Sequence, residues 1–213
     1  MNYFQHPVTP ADVSSDFRKL ISQIAPGVEP EYVEVVPMPN VLPSECFPLV
    51  DDLVRTAGGQ AVIGWCLWEM PGLFVEGEFH CVWRSPDGTL KDVAPKREST
   101  SRILFLRDCR RRYEGRQVNN FRRVTSADPN VQAYLSTFDA EFELMNRGER
   151  AVQHGQITLK DSEAIEYHEI QTERGKLYVQ IAGLIPRIGP YHPCTCGSGK
   201  KVKWCHGSGF NAL

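Results

Sequence analysis

Apolar and polar positions alternate with different periods along this chain, and the changes of period mark its elements. Phe17, Leu20, Ile21 and Ile24 fall on one helical face. With Thr9 as a cap, Pro10 in the first turn and Gly27 as a stop, they predict a helix over 9–27. Residues 31–36 predict a strand. A second helix is predicted over 46–57, with Val50, Leu53, Val54 and Ala57 as its stripe. Pro48 must lie in its first turn, which places Cys46 at the helix start. A mostly apolar strand over 60–69 follows. Residues 73–84 alternate cleanly. Leu73, Val75, Gly77, Phe79, Cys81 and Trp83 face one way, and Glu76, Glu78, His80, Val82 and Arg84 face the other. Ser85-Pro86-Asp87-Gly88 is hairpin chemistry. It sets Ser85 opposite Thr89 and Val82 opposite Asp92 in a strand over 89–94. His80 and Asp92 then share a face, one diagonal step apart.

Beyond the hairpin, RILFL (102–106) predicts a further strand. Residues 107–123 predict a loop or short hairpin. Asp128-Pro129 opens a helix carrying Val131, Tyr134, Leu135, Phe138, Phe142 and Met145, closed by Gly148. A short strand over 156–159, a helix over 162–174 stopped by Gly175, and a strand over 177–185 complete the pattern. The fold class expected is α+β, an antiparallel sheet with packed helices. The expected division is a core domain over 1–125, a helical extension and linker over 126–190, and a small module over 191–213.

That last segment reads YHPCTCGSGKKVKWCHGSGF. Cys194, Cys196, Cys205 and His206 make a C-x-C-x8-C-H pattern, and three thiols with one imidazole can close a tetrahedral zinc site. Gly197 and Gly199 let the chain reverse close to a metal. His192 is near enough in sequence to compete with His206 as the fourth ligand. So short a tail has too few apolar groups to hold a turn by itself, which favours a structural Zn²⁺. The GSGK stretch is not a Walker A loop, because the required earlier glycine position holds Cys194. CTCGSGKKVKWCHG resembles the SEC-C motif. The resemblance implies zinc on Cys194, Cys196, Cys205 and His206, and a docking role toward a protein partner such as a chaperone or the ribosome. All four ligands would be protein groups, which leaves no open position for catalysis.

Composition changes the picture in two places. There is no run of 18 apolar residues and no export signal at the start. The remaining cysteines, Cys46, Cys66, Cys81 and Cys109, are therefore expected as reduced thiols in the cytoplasm. The net charge of −2 hides strong patterning. From Glu31 to Asp92 there are ten acids and three bases, from Lys96 to Arg123 ten bases and three acids, and from Asp128 to Glu173 ten acids and three bases. The basic block either pairs with its acidic flanks or offers a face, from Arg107 to Arg123, to nucleic acid or an acidic protein.

Cys46 at a helix start, His80 on a strand and Asp92 on the next strand are the candidate catalytic set. A helix N-terminus stabilises a thiolate, an imidazole can take its proton, and a carboxylate can orient the imidazole. Asn40 is placed to donate to an oxyanion. Cys46 also falls on its helix's apolar face, so a core cysteine is the competing reading. Glu78, His80 and Asp92 offer a second alternative, a metal triad. The Cys helix followed by EFHCVWRSPDGTLKDVAP resembles the transglutaminase-like branch of the papain-like fold. That resemblance implies attack by a Cys46 thiolate on an amide or isopeptide bond, with hydrolysis or acyl transfer. Glu45 stands where many members have Trp or Gly, and a carboxylate there raises a thiol pKa. Two functions are expected from these features: a zinc-bearing thiol enzyme docked by its tail, or a non-catalytic adaptor binding protein or nucleic acid.

Overall fold

The computed structural model describes residues 6–39, 46–96, 100–153 and 157–205. Its elements are α1 (Ser15–Ile24), β1 (Glu31–Val35), α2 (Cys46–Ala57), β2 (Gln60–Met70), β3 (Phe74–Arg84), β4 (Leu90–Asp92), β5 (Arg102–Arg107), β6 (Phe121–Val124), α3 (Pro129–Met145) and α4 (Asp161–Ile181). Strands run in the order β2-β5-β1-β4-β3-β6, and β2 also pairs with β3. The first five therefore close on themselves as a small β-barrel, with β6 added along the outer half of β3. Every pairing is antiparallel except β1 with β4, which is parallel. The architecture is α+β, as the periodicities predict; the closure into a barrel lies beyond what they show.

The long hairpin of β2 and β3 is the spine. Val62, Cys66 and Val82 point into the barrel and meet Val33, Ile103 and Phe105. The opposite face carries Trp65, Leu67, Val75 and Phe79, covered by Phe17, Leu20, Ile21 and Ile24 of α1. Burial of both layers stabilises the hairpin at roughly 25 cal/mol per Å² of apolar area removed from water. Gly64 is required where β5 crosses β2. A Cβ there would run into the Leu106 carbonyl and lie 2.6 Å from the Phe105 ring. The far end of the hairpin, with Met70, Leu73 and Phe74, is covered by Val131 and Leu135 of α3 and Ile181 of α4.

The β3–β4 register is the predicted one: Trp83 opposes Lys91, Arg84 opposes Leu90, and the Ser85 amide donates to the Thr89 carbonyl at 2.9 Å. Three local expectations differ. Thr9 does not cap a helix. Its hydroxyl donates to the Arg102 carbonyl, Val8 bridges to Glu69, and Ser14 caps α1 by accepting from the Phe17 amide. A tertiary partner for Thr9 outcompeted the local cap. Helix α4 does not stop at Gly175 but runs to Ile181, so the strand expected over 177–185 is helix followed by a short 3₁₀ turn. Glycine costs a helix about 1 kcal/mol relative to alanine, and burial of Leu177 and of Ile181, the latter against Val131 and Leu135 of α3, offsets it. Arg174 reinforces that contact, with its guanidinium 3.9 Å over the Phe138 ring and 2.5 Å from Glu141. Residues 157–159 form no strand; residue 156 lies outside the described residues.

Candidate functional site

Two clusters of chemically active side chains stand out, one inside the barrel and one in the C-terminal turn. The first is built on β3. His80 shares the inward face with Val82, and the hairpin register sets it diagonally across from Asp92. His80 Nε2 lies 3.1 Å from Asp92 Oδ1, and both side chains are buried. Asp92 Oδ1 also accepts from the Ala94 amide at 3.1 Å. The irregular segment after β4 returns Lys96, whose Nζ lies 2.5 Å from Asp92 Oδ2 and 3.5 Å from His80 Nε2. On the same face Glu78 accepts from Trp68 Nε1 at 2.7 Å.

Burial by itself would discharge all three members, lowering the pKa of His80 and Lys96 and raising that of Asp92. Mutual contact wins in each. His80 is raised to about 10 by the Asp92 carboxylate, and Lys96 is raised by the same group. Asp92 is held down at about 2 by His80 and Lys96. The buried cluster is therefore ionised at neutral pH. An ammonium fills the place a metal ion would take beside Asp92, and among the described residues the metal triad of Glu78, His80 and Asp92 does not form a ligand group. Next to it Glu76 is ion-paired to Arg122, with Nη2 3.2 Å from its carboxylate, and burial still raises its pKa.

Cys46 begins α2 as predicted, but it packs with Leu49, Val50, Cys81 and Val93. Cys81 lies on the outer face of the barrel wall, and His80 points inward from the same strand. Cys46 is near enough for its charged form to favour protonated His80. Among the described residues it makes no hydrogen bond to His80 or Asp92. Asn40 lies outside the described residues. The structure thus brings His80 and Asp92 together, adds Lys96, and places Cys46 in an apolar cluster with Leu49, Val50, Cys81 and Val93. Lys96 was missed in the sequence. Its one signal was the four-residue spacing from Asp92, which carries no meaning outside a helix.

The second cluster is formed by Cys194, Cys196 and Cys205, whose sulfur atoms all lie within 4.8 Å of one another. The Cys194 amide donates to the Lys200 carbonyl and the Gly197 amide to the Cys194 carbonyl, closing a tight reversal. Val202 and Ile188 pack beneath the thiols. The Cys196 and Cys205 sulfurs are 3.5 Å apart. A tetrahedral ion with Zn–S bonds of about 2.3 Å sets its sulfurs about 3.8 Å apart, so the residues present fit a metal ion of that kind. Burial raises the Cys194 thiol to about 11, whereas Ser198 overcomes burial and brings Cys196 down to about 7. His206, the fourth expected ligand, lies outside the described residues. His192 is not in the cluster, and its Nδ1 accepts from the Gly189 amide at 2.6 Å.

The arginine block divides. Arg110 pairs with Asp108, Arg122 with Glu76 and Asp139, and Arg123 with Asp16. Arg107, Arg111, Arg112 and Arg116 are exposed. No helix among the described residues is long and apolar enough to cross a membrane.

These features define an α+β protein with a small closed β-barrel and a C-terminal cysteine cluster of SEC-C type. Likeness to curated proteins covers a short stretch. Over 27 residues, 13% of this chain, it is 59% identical to the protein translocase subunit SecA of Ralstonia nicotianae. Over 26 residues, 12% of the chain, it is 65% identical to the SecA subunit of Burkholderia thailandensis. The chain spans about 3% of the length of these curated relatives, in the C-terminal SEC-C region of SecA. No family model and no solved structure matches the chain. The SEC-C resemblance is thereby supported, and the transglutaminase-like one gains no support.

Proposed function

We propose that this protein is a zinc-holding docking protein whose C-terminal turn presents a binding face to an acidic segment of a partner protein. The observation that carries the reading is the convergence of three thiols at zinc-site distances in a SEC-C-like turn. Zn²⁺ held by Cys194, Cys196, Cys205 and His206 supplies structural rigidity. The turn then displays Tyr191 and Trp204, 58% and 60% exposed, in an edge-to-face pair with ring centroids 6.2 Å apart. Lys201 lies within 5.8 Å of both ring centroids, and Lys203 lies 5.3 Å from that of Tyr191. Exposed aromatics flanked by ammonium groups suit a partner with carboxylates around an apolar anchor. The experiment is metal analysis followed by titration of an acidic, leucine-containing peptide, read by Trp204 fluorescence. One zinc per chain is expected, lost in Cys205→Ser. Peptide binding that weakens with salt and disappears in Lys201→Glu is expected with it. Unchanged metal content in Cys205→Ser would refute the site, and salt-independent binding would refute the face.

A second reading, thiol chemistry at Cys46 with His80, Asp92 and Asn40, has the His80–Asp92 pair in its favour. It requires the Cys46 thiol, buried in its apolar cluster, to come within hydrogen-bond reach of His80. Iodoacetamide labelling of Cys46 well ahead of Cys66, Cys81 and Cys109 at neutral pH is its expected signature; labelling no faster than those would sink it.

A further inference from the structure

The cysteine turn is continuous with the backbone of the barrel. The Cys196 carbonyl accepts from the Ser101 amide at 2.8 Å and from the Ser101 hydroxyl at 3.0 Å. The Ser101 carbonyl accepts from the Val35 amide at 3.0 Å, and the Val36 amide donates to the Asp92 carbonyl at 2.8 Å. Four adjacent backbone segments thus link a metal-ligand residue to the main chain of Asp92, whose side chain is at the centre of the buried charge cluster. A second strap runs beside the first. Arg102 Nε donates to the Gly197 carbonyl, the Arg102 guanidinium lies 3.7 Å over the Tyr32 ring, and the Arg102 carbonyl accepts from Thr9. Gly197 has φ 74°, and a Cβ there would lie 2.8 Å from the Arg102 carbonyl and 2.9 Å from Thr9.

We propose that metal loading of the tail sets the order of this barrel edge, so that the zinc state is transmitted to β1, to β5 and to the His80–Asp92–Lys96 cluster. The proposal rests on the zinc reading above. Its physical basis is that the turn has almost no core apart from the thiols, Val202 and Ile188. Without a metal such a turn does not hold its geometry. When the turn opens, Cys196 and Gly197 leave Ser101 and Arg102, and the start of β5 loses the partner on its outer side. Local opening then concentrates where β1 and β5 meet, at the strand start that the two straps hold. Loss of zinc by chelation becomes a signal read inside the body of the protein.

The test uses the full chain, zinc-loaded and chelated, with metal content measured on the same samples. Hydrogen exchange is followed in peptides covering 31–36 and 100–107, with 129–145 as an internal reference. Metal removal is expected to speed exchange in the first two peptides by about tenfold or more, leaving the third unchanged. Cys205→Ser, which touches none of the strap contacts, is expected to reproduce the chelated pattern. Gly197→Ala is expected to keep one zinc per chain and still show fast exchange at 31–36 and 100–107. A chain that binds no zinc overturns both this proposal and the docking reading. A chain that binds one zinc but shows the same exchange with and without it overturns this proposal alone, as does slow exchange in Gly197→Ala.

Discussion

Replacing Asp92 with Asn tests the buried charge cluster most directly. The substitution keeps shape and removes one charge. Two buried cations, His80 at 3.1 Å and Lys96 at 2.5 Å, then face a neutral amide. A carboxyl held at about 2 instead of 3.8 corresponds to roughly 2–3 kcal/mol in favour of its ionised form. The upward shift of His80 measures the same contact from the other side and is not added to it. Leaving buried charges without their partner brings the expected loss to about 3–5 kcal/mol. The assay is urea denaturation of wild type and Asp92→Asn across pH. The sign follows from the two shifts. The Asp92 contribution is present above the carboxyl's unfolded value of 3.8 and is lost as pH falls through about 2. The His80 contribution is complete below 6.5 and is lost as pH rises through about 10. Wild type should therefore be most stable between about pH 4 and 6.5, with a decline on the alkaline side that Asp92→Asn flattens. In NMR, the His80 imidazole should remain protonated at pH 8 in wild type and titrate at lower pH in the variant. A loss under about 0.5 kcal/mol, the range of a neutral surface change, would refute this account. So would a wild-type His80 already neutral at pH 7.

Three further outcomes follow from packing. Gly175→Ala should stabilise the protein by about 0.5–1 kcal/mol, because the added Cβ meets nothing within 4 Å in the middle of α4; thermal unfolding checks it, and destabilisation would contradict a continuous helix. Gly64→Ala should destabilise by about 1–3 kcal/mol, since its Cβ collides with β5; an unchanged melting temperature would mean that β2 and β5 do not cross there. Among Cys46, Cys66, Cys81 and Cys109, only Cys109 is exposed, so mass spectrometry after brief alkylation should find it modified first, and preferential labelling of Cys66 would contradict the closed barrel.

The features legible in the sequence are those set by short stretches of chain. The register of β3 and β4 follows from Ser85-Pro86-Asp87-Gly88 and from alternation on one strand, and that register alone carries His80 to Asp92. The cysteine cluster was legible for the same reason. Its three thiols lie within twelve residues, separated by glycines, so backbone reversal nearly dictates their meeting. Helix α1, with a strong stripe of Phe17, Leu20, Ile21 and Ile24, follows from its 3.6-residue period. Tertiary structure decided everything that depends on distant partners. Thr9 has good capping chemistry, but Arg102 claims its hydroxyl across the fold. Gly175 has stop chemistry, but buried Leu177 and Ile181 hold the helix on. Lys96 joins the cluster through an irregular return, and the parallel pairing of β1 with β4 closes the barrel. Cys46 sits at the predicted helix start, yet its apolar neighbours, Cys81 and Val93 among them, come from the distant strands against which α2 packs. Periodicity gives each strand two faces, and only closure of the sheet determines which one is the inside.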